Sequence, residues 1–146
     1  MIETALMCLA LNIYFEARSE PIQGQIAIAE VTLNRVASPN YPDTVCGVVL
    51  QENSKTCQFS WWCDGKSDQP KEHKSLLTSK ALAELMLTKG EHITVLGDTV
   101  THYHNNDVHP YWADHLRVIG KIGNHIFYTK KKEDSLSPRA RTKKIN

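Results

Sequence analysis

Apolar residues in the first part of the chain recur at helical spacing. Residues 4–17 set Leu6, Leu9, Ala10, Ile13 and Ala17 along one face, with Met7, Leu11 and Tyr14 on the face beside it. A helix apolar on nearly every side belongs inside a domain, so this segment is predicted as a buried helix. Pro21 interrupts it and, being suited to a first helical turn, opens a second helix in which Ile22, Ile26, Ala29, Leu33 and Val36 recur. That helix is predicted to stop before Pro39, whose ring disfavours helical geometry in Ser38. Pro42-Asp43-Thr44 opens a short third helix through Val45, Val48 and Val49, and residues 73–89 form another with Leu77, Ala81 and Leu85 on one face and Gly90 as its C-terminal cap.

Residues 51–71 lack apolar periodicity. A loop of that length in a compact domain tends to be functional, so the segment is expected to line a cleft. Beyond Gly90 the pattern changes to period two: His92–Leu96 and Val100–His104 are predicted strands, and Val118–Ile122 with Ile126–Tyr128 flank the hairpin signal Gly123-Asn124. From Lys130 onward the chain is charged and aperiodic, as expected of a mobile tail. The whole reads as a mainly helical α+β domain over residues 1–129 with a basic tail over residues 130–146.

The chain has 146 residues, 41% of them hydrophobic, enough for one domain with one core and too few for a multidomain enzyme. Its formal charge of +1 hides an uneven distribution. Residues 1–129 carry 10 basic and 14 acidic side chains, net −4, while residues 130–146 carry seven basic and two acidic, net +5. The start, Met1-Ile2-Glu3-Thr4, lacks the positive charge of a secretory signal, and no stretch reaches the roughly 18 apolar residues of a membrane span. Synthesis in the cytoplasm without a signal peptide is the expectation. Of the four cysteines, Cys8 sits in an apolar helical run and is expected to pack as a small hydrophobe. Cys46, Cys57 and Cys63, an odd set in a polar region, permit one disulfide at most.

The chemistry centres on Glu16, at the end of the otherwise apolar first helix. The negative end of a helix dipole and partial burial both disfavour the ionised carboxylate, so both raise its pKa toward that of a general acid at neutral pH. The competing reading is an ion pair of Glu16 or Glu20 with Arg18 or Arg35.

Tyr14-Phe15-Glu16-Ala17-Arg18-Ser19-Glu20-Pro21, then Gly24-Gln25-Ile26-Ala27-Ile28-Ala29-Glu30-Val31 and Leu33-Asn34-Arg35-Val36, resembles the opening of the spore-cortex-lytic (SleB-type) cell-wall hydrolases. The resemblance runs on through Tyr41-Pro42-Asp43-Thr44-Val45, Val48-Val49, Gln58-Phe59-Ser60 and Asp64-Gly65. It resumes at Thr101-His102-Tyr103-His104, Pro110-Tyr111-Trp112 and Ile122-Gly123-Asn124-His125-Ile126-Phe127-Tyr128. It implies a lysozyme-like fold acting on the β-1,4 bond between N-acetylmuramic acid and N-acetylglucosamine in peptidoglycan glycan strands. The family's catalytic glutamate falls on Glu16, and its members are regarded as lytic transglycosylases, which need no second carboxylate. A hydrolytic muramidase would ordinarily need one. Glu20, Glu30 and Asp64 are the candidates; Asp64 is the best placed of them, following the aromatic loop, but before Gly65 a turn role is the plainer expectation for it.

Sugars bind through apolar faces on aromatics and through polar donors around them. Gln58, Phe59, Ser60 and Trp61, with His102, Tyr103 and His104, offer that mixture and are the expected substrate contacts, although one of Trp61 and Trp62 is expected in the core. The resemblance aligns Gln58-Phe59-Ser60 and His102-Tyr103-His104 with the two loops that flank the acid in lysozyme-like transglycosylases. His102, His104 and His109 in H-x-H-x4-H form also suit zinc, but three ligands with an ordered outer shell are needed, and the expectation is no metal and no cofactor. Cys57 or Cys63 with His102 or His104 would make a peptidase or amidase pair. A non-enzymatic wall-binding or nucleic-acid-binding module is a further alternative. The tail lacks aromatics interleaved with its charges, so no specific nucleic acid partner is expected; anionic envelope polymers or lipids are. The expected protein is a monomer, in the manner of a phage endolysin released through a holin.

Overall fold

The computed structural model describes residues 4–52 and 57–130. Among these residues five α-helices and a three-stranded sheet follow one another: α1 (Ala5–Ala17), α2 (Ile22–Ala37), α3 (Val45–Val49), the single-turn α4 (Ser60–Cys63), α5 (His73–Lys89), β1 (His102–Asn105), β2 (Arg117–Ile122) and β3 (His125–Thr129). Thr4 caps α1 by accepting the Met7 N–H, and Thr44 caps α3 by accepting that of Gly47. No helix among the described residues is long and apolar enough to cross a membrane.

α1 is the central helix, buried from Cys8 to Tyr14 and packed against α2, α3 and α5. Leu9, Ile13, Leu33, Val36, Val48, Met86, Phe59 and Trp61 form the main core, and a second cluster of Ala27, Ile28, Val31, Val100 and Phe127 joins α2 to the sheet. The sheet is antiparallel in the order β1-β3-β2, with Tyr103 opposite Phe127. The Tyr14 hydroxyl accepts the Lys71 and Glu72 N–H groups at 3.0 and 2.9 Å, satisfying donors that the start of α5 would otherwise leave open.

Three expectations are corrected. His92–Leu96 is not a strand: a 3-10 turn covers Gly90–His92, and the buried Glu30 carboxylate takes the Val95 and Leu96 N–H groups at 3.2 and 2.8 Å. A side chain has replaced the ladder partner. Glu30, Asn34 and Arg35, the polar residues that break the apolar pattern of α2, all dock the segment before β1, since Asn34 donates to the Gly97 and Val100 carbonyls and Arg35 Nε to that of Thr101. On α5 the buried stripe is Ser79, Ala83 and Met86, whereas Leu77 and Leu85 are exposed and Ala81 faces outward. Apolar residues occupy both faces of that helix, so periodicity alone picks the wrong one.

The third correction concerns the cysteines. Cys8 is bonded to Cys46 and Cys57 to Cys63, so all four are paired. Cys8 does lie in the core, but α3 crosses α1 there and brings the two Cα atoms to 5.3 Å, within bridging range. The expected tail, residues 130–146, lies outside the described residues except for Lys130.

Candidate active site

Glu16 projects from the last turn of α1 into a cleft of about 190 Å³ lined by Arg35, Cys57, Gln58, Phe59, Ser60 and Tyr103. Burial pushes its carboxyl pKa up; a hydrogen bond from Tyr103 and the charge of Arg35 pull the other way without overcoming it. The Tyr103 hydroxyl donates to Glu16 Oε1 at 2.7 Å. The surface ion pair that competes for Glu16 does not form, because Arg18 binds Glu72 and Arg35 is buried.

Arg35 is 3% exposed, lies over the rings of Tyr41 and Phe59, and leaves Nη1 without a partner. It is a fixed positive charge beside the acid.

The three other carboxylates weighed as partners for Glu16 are occupied elsewhere. Glu30 holds the Val95 and Leu96 amides. Glu20 accepts the Asn124 N–H at 2.7 Å and its side-chain amide at 3.1 Å, and Asp64 accepts the Lys66 N–H at 2.9 Å in a turn. None of them lines the cleft.

Gln58, Phe59, Ser60 and Tyr103 therefore come together around Glu16. Trp61 does not share that position: it is 6% exposed, stacked on Phe15 at 5.0 Å, and donates Nε1–H to Asn12 Oδ1 at 2.8 Å. Strand alternation separates Tyr103 from its neighbours. Tyr103 meets Phe59 and Phe127, whereas His102 and His104 pack on Trp112 across the strand. His104 Nδ1 bonds the Asn105 carbonyl and Nε2 the Tyr128 hydroxyl, both at 2.7 Å, while burial lowers the His102 pKa to about 4, with the charges of Arg35 and Lys130 acting the same way. His109 contacts Asp114 at 3.0 Å.

Sequence reasoning missed Asn12, fully buried one helical turn before Glu16. The signal was present: a lone asparagine in an apolar helix, four positions from the acid and so on its face. Arg35 was legible only as a surface partner.

A central helix delivering one carboxylic acid to a cleft beside a small antiparallel sheet is lysozyme-like architecture. Two solved structures share it. The catalytic domain of the germination-specific lytic transglycosylase SleB from Bacillus anthracis superposes with a TM-score of 0.68 at 30% identity, covering 86% of this chain and 93% of that one. The SleB catalytic domain of Bacillus cereus gives 0.62 at 27% identity, covering 88% and 93%. A family model described as Cell Wall Hydrolase matches residues 19–128, and the chain belongs to that family. The spore cortex-lytic enzyme of Bacillus cereus is 29% identical over 122 residues, which is 84% of this chain and 43% of that protein. That of Bacillus subtilis (strain 168) is 54% identical over 43 residues, 30% of this chain and 14% of the relative. The chain thus spans less than half the length of these relatives.

Proposed function

We propose that this domain cleaves the β-1,4 bond between N-acetylmuramic acid and N-acetylglucosamine in peptidoglycan as a lytic transglycosylase, with Glu16 as acid and then base. The observation that carries the reading is a single carboxyl, raised in pKa by burial and fixed by Tyr103, in a cleft lined by no second carboxylate among the described residues. Kinship with a lytic transglycosylase domain supports it.

In the first step Glu16 gives its proton to the glycosidic oxygen as the bond from that oxygen to the muramic C1 breaks, and the glucosamine end leaves as an alcohol. The Glu16 carboxylate so formed then accepts the proton of the muramic 6-hydroxyl while its oxygen bonds to C1. The product is a 1,6-anhydro ring, and the acid is regenerated. One group serves both transfers because its pKa lies nearer the working pH than an ordinary glutamate's. Gln58 and Ser60 would hold sugar hydroxyl and acetamido groups, with Phe59 and Tyr103 shaping the cleft wall. The partner of the basic residues 130–146 is proposed to be an anionic envelope polymer or lipid.

Mass spectrometry of digested sacculi tests the reaction. Anhydro-muramic ends are expected; reducing muramic ends, heavier by one water, would instead make the enzyme a muramidase. Glu16→Gln is expected to abolish digestion, and a Glu16→Gln protein working at the parental rate would remove the catalytic assignment.

A further inference from the structure

We propose that Asn12 and Trp61 are positioning residues that, through Tyr103, fix which oxygen of Glu16 carries the acid proton. The inference rests on the catalytic reading of Glu16 given above.

The direction of the chain follows from donor chemistry. An indole N–H can only donate. Trp61 Nε1 gives its hydrogen to Asn12 Oδ1 at 2.8 Å, in a contact wholly inside the protein. That contact orients the amide, so Asn12 must present its two N–H hydrogens on the other side. Nδ2 is enclosed there without a hydrogen-bond partner, and Asn12 favours the ionised form of the Tyr103 hydroxyl, as a nearby N–H donor does. A phenol oxygen facing an N–H donor turns its own hydrogen elsewhere, and that hydrogen goes to Glu16 Oε1 at 2.7 Å. Oε1 is therefore held as an acceptor. The acid proton is confined to Oε2, the oxygen left free for the glycosidic bond.

Helix geometry makes the arrangement possible. Asn12 and Glu16 are four residues apart on α1 and share a face, so β1 can lay one tyrosine across both. Trp61 reaches Asn12 from α4, immediately after the cleft residues Phe59 and Ser60. Phe15 stacks on the Trp61 ring, holding the indole against α1.

The test is a double-mutant cycle on soluble peptidoglycan glycan oligomers, run beside Glu16→Gln. Asn12→Leu is expected to lower kcat about tenfold, the worth of one hydrogen bond, with KM within about twofold. In a Tyr103→Phe background the same change should lower kcat no further, since the relay is already cut. Trp61→Phe removes only the indole N–H and keeps an aromatic ring on Phe15; it should show the same coupling and serves if Asn12→Leu folds poorly. Equal losses of kcat with and without Tyr103, or an unchanged kcat in both single variants, would overturn the relay. A fully active Glu16→Gln protein would instead remove the reading on which it rests.

Discussion

The hydroxyl of Tyr103 donates to Oε1 of Glu16 at 2.7 Å, joining the middle of the first strand to the end of the first helix across 87 positions of sequence. The bond favours the ionised carboxylate, whereas burial favours the neutral acid, and burial is the larger influence. Tyr103→Phe removes the favourable contact and leaves the burial. The Glu16 pKa should rise further, so the alkaline limb of the kcat profile moves to higher pH. The maximum rate should fall roughly ten- to a hundredfold, the range for a hydrogen bond to a charged group. Rates on soluble glycan across pH measure both effects, and an unmoved alkaline limb would dissociate Tyr103 from the ionisation of Glu16.

Arg35 contributes the same sign from a different direction. Its buried charge also holds the Glu16 pKa down, and Lys is not a substitute for a guanidinium seated between two rings. Arg35→Met should therefore raise the alkaline limb as Tyr103→Phe does, and Arg35→Lys should recover the limb while remaining less stable than the parent. A pH profile of Arg35→Met that superposes on the parent's would show that the charge does not reach the acid.

Much of this framework is legible in the chain and some is not, for identifiable reasons. α1, α2, α3 and the hairpin at Gly123-Asn124 follow from local periodicity, caps and turn chemistry, which need no knowledge of neighbours. The raised pKa of Glu16 follows too, because an apolar helix implies burial. Partners distant in sequence do not follow. The Cys8–Cys46 bridge depends on α3 crossing α1, the capture of Val95 and Leu96 depends on Glu30 facing inward, and the burial of Trp61 depends on Asn12 waiting for it. The two histidines beside Tyr103 show the same limit: the alternation of a strand sends them to its other face, but only the sheet tells which face meets the acid.

The Cys8–Cys46 bridge closes 38 residues and ties α1 to α3. On the chain-entropy account such a loop contributes about 4 kcal/mol. Replacing both cysteines by serine should lower the unfolding free energy by that order in denaturant titration, with little change in KM because neither residue lines the cleft. The Cys57–Cys63 bridge differs in kind. It closes a loop of separation six around Gln58, Phe59 and Ser60. Its stability contribution is smaller, about 2 kcal/mol, but its loss should raise KM for glycan oligomers. Equal KM values for the two double-serine variants would contradict this division.

Gly123 has φ +57, and a Cβ there would overlap the Glu20 carboxylate and lie 3.0 Å from Pro21 Cδ. Glu20 meanwhile grips both amides of Asn124, clamping the β2–β3 turn to the link between α1 and α2. Gly123→Ala should cost about 1–3 kcal/mol from backbone strain, together with displacement of that carboxylate. Because the next residue but one, His125, sets its ring edge against Tyr103, activity should fall as well. Thermal unfolding and glycan cleavage of the same variant check both, and an unchanged melting temperature would mean the clamp carries no weight.

The raised pKa of Glu16 also fixes how its removal affects stability. Below the pKa of the unfolded chain the carboxyl is neutral in both states and its burial is not opposed by ionisation. As pH rises past that value, the unfolded chain ionises first and is favoured by doing so, while the folded protein keeps its proton. Stability is therefore lost through the window between the ordinary glutamate pKa and the raised one, and then levels. Glutamine has the same shape and no such titration. Glu16→Gln should be inactive yet gain stability relative to the parent as pH increases above the ordinary glutamate pKa of about 4, the gap closing again in acid. Melting temperatures of the two proteins across that range measure the gap directly. His102, whose pKa is lowered to about 4, titrates alike in both and cancels in the comparison. A gap that stays constant with pH would mean that Glu16 ionises as readily in the fold as outside it, and the acid role would lose its physical basis.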